Sequence, residues 1–166
     1  LLGREMRRQI LPDGGHASRN PALLADLLAD LLALEGVLQA RQVALPTAII
    51  SARQNMQTLL AMLRHKDGRL GVFHGGLEGD AAALNAVIEN AAKPISFAQK
   101  SGYQRLDAGD SCVLVDVGDA PRGAHSIAAH AAPLAFEMSH GGDRLIVNCG
   151  PNLVHGADWR LAARGL

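Results

Sequence analysis

The feature that most constrains the fold is a run of leucines. Leu23, Leu24, Leu27, Leu28, Leu31, Leu32, Leu34 and Leu38 recur at spacings of three and four. Such spacing puts one broad apolar stripe on a helix, too wide for the seam of a two-stranded coiled coil. Asn20-Pro21 starts it, since Asn caps well and Pro suits the first helical position. Asp26 and Asp30 lie early and Arg41 late, as the helix dipole prefers. Val43-Ala44-Leu45-Pro46 breaks the pattern. A second helix starts near Thr47 and carries Ile49, Ala52, Met56, Leu59 and Leu63 on one face. The pair reads as an antiparallel helical hairpin. The residues before Pro12 read as the last turns of a preceding helix.

Further on the grammar changes. His65-Lys66-Asp67-Gly68 is a turn, Gly75-Gly76 and Gly79 mark a loop, and Asp80 caps a short Ala-rich helix through Ile88. After Lys93-Pro94 come short β-prone runs, Tyr103–Leu106, Cys112–Val117, Leu134–Met138 and Leu145–Cys149. Turn compositions at hairpin spacing separate them. Alternation predicts Leu134, Phe136 and Met138 facing inward against Glu137 and Ser139. A short helix is expected around Trp159–Arg164. Helices followed by antiparallel strands make an α+β chain: a helical segment over 1–92 and a sheet or sandwich segment over 93–166. Both halves are expected to be incomplete.

Charge and composition narrow the function classes. Lys plus Arg equals Asp plus Glu, at 16 each. That balance excludes a strongly basic nucleic-acid binder and a polybasic membrane-surface protein. Aromatic residues are 3%, so stacked aromatic rings cannot form a sugar platform. No apolar run is long enough to span a membrane. Cys112 and Cys149 sit in strand-like runs and read as free buried thiols. The sequence lacks GxGxxG after a strand, GxxxxGK[ST], HExxH, GxSxG and CxxC.

Two stretches hold polar residues of the kind that carry chemistry. The first is the loop Leu11–Pro21, with Asp13, His16, Ser18, Arg19 and Asn20 around Gly14-Gly15. Arg19 is suited to fork a carboxylate, and His16 to move a proton near neutral pH. The plain reading is an inter-helix turn in which Asn20 caps and Asp13 closes an Asx turn. The second stretch runs from His125 to His130 into the strand after Leu134. Two histidines five apart on extended chain face opposite ways, so they should not share a metal ion. Tyr103, the single tyrosine, needs a partner for its hydroxyl if it is buried.

The loop LPDGGHASRNP, the stretch SGYQRLDAG (Ser101–Gly109) and AHAAPLAFEMSHGGDRLIVNCG (Ala129–Gly150) together resemble the heparinase II/III-like proteins of bacteria. The resemblance implies the end of an α/α toroid followed by the opening strands of an antiparallel β-sandwich. It further implies a periplasmic carbon–oxygen lyase acting by β-elimination on uronate-containing glycans, with an acidic polysaccharide in the cleft. The remainder of the same polypeptide would complete the active site. His130 falls on a histidine of the family's sandwich-domain turn, and His16, Arg19 and Asn20 are the candidates in the helical loop. The family often has His where Ala128 stands, Asp where Ala132 stands, and Asp where Asn148 stands. No cofactor is therefore expected, although the family can hold zinc. The family's toroid-loop tyrosine is absent from Ala22-Leu23-Leu24. Those departures also fit a non-catalytic glycan-binding or envelope protein of the same fold. A third reading takes residues 1–63 as a helical interaction module.

Overall fold

The computed structural model describes residues 2–89, 91–92, 95–129 and 134–151. His130, Ala132 and the helix expected around Trp159–Arg164 lie outside the described residues.

The helices form where periodicity and caps coincide. Helix α1 spans Leu2–Gln9 and α2 spans Pro21–Ala40. The Asn20 Oδ1 accepts the Leu23 amide at 3.1 Å, closing the first turn of α2. Leu24, Leu28 and Leu31 are the leucines that α2 buries, whereas Leu23 and Leu34 keep substantial exposure. The inward stripe is thus narrower than the leucine run. Helix α3, Thr47–Met62, buries Ile49, Met56, Leu59 and Leu60 and packs against α2. Helix α4, Ala81–Ile88, begins where the Asp80 carboxylate accepts the Ala83 amide at 2.9 Å.

Among the described residues the sheet is antiparallel, with five strands in chain order. They are β1 Phe97–Ala98, β2 Tyr103–Ala108, β3 Ser111–Asp116, β4 Phe136–His140 and β5 Asp143–Ile146. In register, Tyr103 faces Asp116, Leu114 faces Glu137, and Cys112 faces Ser139. One buried cluster runs from Leu24 and Leu28 through Met56, Leu59 and Phe73 to Tyr103, Cys112 and Leu114. Helices and sheet therefore share a core that crosses the 92/93 boundary. The sheet begins earlier than the sequence indicates, at the two-residue β1.

Two expectations are corrected. In β4 the inward face is inverted: Glu137 and Ser139 are buried, while Phe136 and Leu134 are exposed. Leu114 sets that register, because its cross-strand partner must share its inner face. The inner face meets His65, whose Nδ1 pairs with the Ser139 hydroxyl at 2.8 Å and whose Nε2 pairs with Glu137 at 3.0 Å. A buried polar partner thus replaces the apolar layer that alternation assumes. Cys149 lies past the end of β5 and is exposed; Cys112 is buried as expected, and both are free thiols.

A candidate active site at the seam of helices and sheet

The loop between α1 and α2 is pressed onto the rest of the protein by two glycines. Gly14 has φ +93°, and a Cβ there would lie 2.2 Å from the Asn55 carbonyl. A Cβ on Gly15 would lie 1.8 Å from the Ser101 hydroxyl oxygen. Asp13 then fastens the loop to the β1–β2 turn. Its Oδ2 accepts the Lys100 and Ser101 amides at 2.7 Å each, and its Oδ1 accepts the Ser101 hydroxyl at 2.6 Å. The Asx turn is also present, with Gly15 donating to Oδ1 at 3.4 Å.

This seating buries His16. The Ser18 amide donates to the His16 Nδ1 at 3.1 Å, which leaves the ring proton on Nε2, toward the Gln9 Oε1 at 3.4 Å. Burial, with a smaller contribution from His125, lowers the His16 pKa to about 4. The imidazole is therefore neutral at neutral pH. His125, from a 3-10 turn at Gly123–Ser126, meets it edge to face with ring centroids 5.4 Å apart. Imidazoles from the helical loop and from the segment between β3 and β4 thus converge.

Arg19 meets a carboxylate through one guanidinium nitrogen and not in a fork, and the carboxylate is internal. Its guanidinium donates to Asp116, to the carbonyls of Ser101 and Asp119 at 2.7 Å each, and to that of Gly102 at 2.9 Å. It also lies 5.0 Å from the centre of the Tyr103 ring. The Tyr103 hydroxyl donates to the Arg19 carbonyl, which provides the partner its burial demands. Burial raises that hydroxyl's pKa well above its ordinary value. Burial alone would also raise the Asp116 carboxyl, but hydrogen bonds from His74 and Arg19 outweigh it and hold the carboxyl below its ordinary range. Asn20 caps α2, and its amide donates to the His74 carbonyl at 3.2 Å.

Of the residues singled out in the sequence, the structure brings together His16, Arg19, Asn20 and His125, and His130 falls outside the described residues. Arg19 and Asn20 have their polar groups engaged within the protein. Sequence reasoning missed His74, Asp116, His65 and Glu137. The one local signal for His74 was its position before Gly75-Gly76. Asn148 is turned as a strut, its backbone amide on Glu137 and its side-chain amide on the Val72 carbonyl, both at 2.9 Å. Among the described residues, no three His, Cys, Asp or Glu side chains group as a metal site.

Three comparisons place this geometry beside known proteins. Residues 90–166 match the family described as heparinase II/III-like, C-terminal. FtsZ-localized protein C of Caulobacter vibrioides is 37% identical over 149 residues, covering 88% of this chain and 26% of that protein. A mutant of the heparan sulfate lyase HepC from Pedobacter heparinus superposes with a TM-score of 0.80 at 16% identity, over 98% of this chain and 30% of that one. A heparinase III crystal structure superposes at 0.79 with 13% identity, over 99% of this chain and 32% of that one. At those identities the structures speak for the fold. The chain spans about a quarter of the curated relative's length.

Proposed function

We propose that this chain, whose residues 90–166 belong to the heparinase II/III-like C-terminal family, forms part of a cleft that takes acidic polysaccharide, and that the whole protein is a carbon–oxygen lyase acting there. The observation that carries this reading is the meeting of His16 and His125, from the two sides of the seam, at a ring separation of 5.4 Å. The reaction would be β-elimination on a uronate-containing glycan. A base takes the proton next to the uronate carboxyl, a carbon–carbon double bond forms, the bond to the 4-linked oxygen breaks, and that oxygen receives a proton. The carbon acid is weak, so the site must stabilise an enolate-like charge. His130, on the family's histidine, is assigned to handle the proton. Neutral His16 meets His125 at the seam without adding charge. Arg19 and Asn20 act by holding the loop that carries His16. Residues 1–92 would end a toroid and 93–166 would open a sandwich, in the periplasm.

The test is ultraviolet absorbance of the unsaturated product from the full-length protein on heparan sulfate, alginate and related glycans. Absorbance should rise on at least one substrate and stop rising in His130→Ala. No rise across the panel overturns lyase activity.

A second reading has its own observation. The chain is 37% identical to FtsZ-localized protein C, against 16% for the lyase HepC, and Arg19, Asn20 and Tyr103 are engaged internally. That pattern supports a glycan-binding or division-associated envelope protein that keeps the fold without the chemistry. Glycan binding without product, unchanged in His130→Ala, would favour it.

A further inference from the structure

The two segments that meet at the seam hold two guanidinium groups between them, Arg19 in the 11–20 loop and Arg122 in the 116–129 stretch. Arg19 is engaged within the fold, where Asp116 and the carbonyls of Ser101, Gly102 and Asp119 take its N–H groups. An anionic ligand at the seam must draw its counter-charge from another group. Arg122 is in a position to supply it. Its side chain is 86% exposed, and its ion pair is with Asp119, 3.5 Å away and itself 90% exposed. That separation is longer than a good hydrogen bond, and a pair so open to water contributes little. The guanidinium thus keeps the fork of N–H groups that fits a carboxylate.

The backbone under Arg122 is fixed, although its side chain lies in water. Arg19 donates to the Asp119 carbonyl at 2.7 Å, and the His125 ring meets that of His16 with centroids 5.4 Å apart. The stretch from 119 to 125 is therefore held to the helical loop at both ends. Between those points Pro121 is buried, and the Arg122 carbonyl accepts the His125 amide at 3.3 Å. Arg122 itself is extended, at φ −118° and ψ 157°, and its side chain does not cap the turn that follows. Binding residues are found disproportionately on loops that a rigid frame positions, whereas a plain surface arginine needs no tether.

We propose that Arg122 is a specificity-determining residue of the seam, its guanidinium taking the uronate carboxylate of a bound glycan. The inference rests on the reading of the seam as a glycan site and names the group that selects acidic sugar there. It gives Arg122 the carboxylate-binding role for which the sequence suggested Arg19. A carboxylate seated in the fork makes two charge-assisted hydrogen bonds, in place of the open ion pair with Asp119.

The test compares the full-length protein with Arg122→Ala and Arg122→Lys for binding of heparan sulfate and alginate oligosaccharides. Each oligosaccharide is also used with its carboxyl groups reduced to alcohols. Arg122→Ala should bind the native oligosaccharide about ten-fold more weakly, the loss of a charge-assisted pair. Arg122→Lys keeps the charge without the fork and should fall between. The carboxyl-reduced forms should bind the protein and both variants alike. The loss in Arg122→Ala should shrink as salt rises, since the group lies in water. For the same reason both variants should unfold at the temperature of the unmodified protein. Equal affinity of the protein and Arg122→Ala for native oligosaccharide overturns the inference and leaves the glycan reading standing. An equal loss on the carboxyl-reduced forms also overturns it, since the contact is then not with the carboxylate. If the unmodified protein binds no oligosaccharide on the panel, the glycan reading falls and this inference with it.

Discussion

Arg19 in the helical loop and Asp116 at the end of β3 form a buried ion pair between residues 97 apart in sequence. Breaking it from one side strands the other charge in the interior. Arg19→Met alone or Asp116→Leu alone should each cost about 3–5 kcal/mol in urea unfolding. The double variant should cost clearly less than the sum, because the second change removes the stranded charge. Additive losses would show that the pair does not couple loop to sheet.

Acid should weaken the fold in two stages. His16 is depressed from 6.5 to about 4, so the unfolded chain binds the proton that the folded one refuses. Stability should fall as pH drops from 6.5 to about 4, and His16 contributes no further change below that. Asp116 lies below the ordinary 3.8, so its contribution is present above that value and is lost as pH falls through the folded value. Urea midpoints measured across pH for the protein and for His16→Gln should differ in slope only in the upper window. An unchanged slope there would place His16 in contact with water.

How far the sequence could be read depended on where each residue finds its partners. Helices α2 and α4 carry their own evidence, in Asn20-Pro21, Asp80 and leucines at three and four. The strands fared less well, because Asp116, Glu137 and Ser139 put polar side chains on the inner face. Their partners Arg19, His65 and His74 lie more than 40 residues away in sequence, and no local pattern announces such a pairing. The 11–20 loop was legible as a candidate because Asp13, His16, Ser18, Arg19 and Asn20 fall within eight residues. His74 was not, because its role depends on Asp116 and Asn20 arriving from elsewhere.

Two glycines should respond in opposite directions to the same change. Gly36 lies within α2 with nothing within 4 Å of an added Cβ, so Gly36→Ala should stabilise by about 1 kcal/mol. Gly102 has φ +69°, and its added Cβ would lie 2.3 Å from the Gly118 Cα, beside Arg19. Gly102→Ala should lower the melting temperature sharply and loosen the seam. A neutral Gly102→Ala would mean that the two backbones can separate freely there.

The two thiols should differ in reactivity by burial. Cys149 is exposed and should react with a thiol reagent in the native state. Cys112 is 0% exposed, and burial raises its thiol pKa, so it should react only on unfolding. The count of fast-reacting thiols checks this, with one expected for the native protein and two in denaturant.

Glu137 offers the sharpest test of the inverted β4 face. Its carboxylate takes His65 at 3.0 Å, the Asn148 amide at 2.9 Å and the Arg144 guanidinium at 3.6 Å, and the side chain is fully buried. Arg144 is also held by Asp67 at 2.8 Å, so loop, β4 and β5 are tied through one group. If alternation alone governed the strand, Glu137 would face water, and Glu137→Leu would change stability by a few tenths of a kcal/mol. In the structure the same change leaves the His65 Nε2 and the Asn148 amide without their acceptor and removes one of the two carboxylates beside Arg144, at a cost of about 3–5 kcal/mol. Phe136→Ser, on the outer face, should be the milder substitution despite the larger apolar side chain it removes. Urea unfolding of the two variants side by side decides the matter, and a milder Glu137→Leu would return the strand to the face that its hydrophobic pattern suggests.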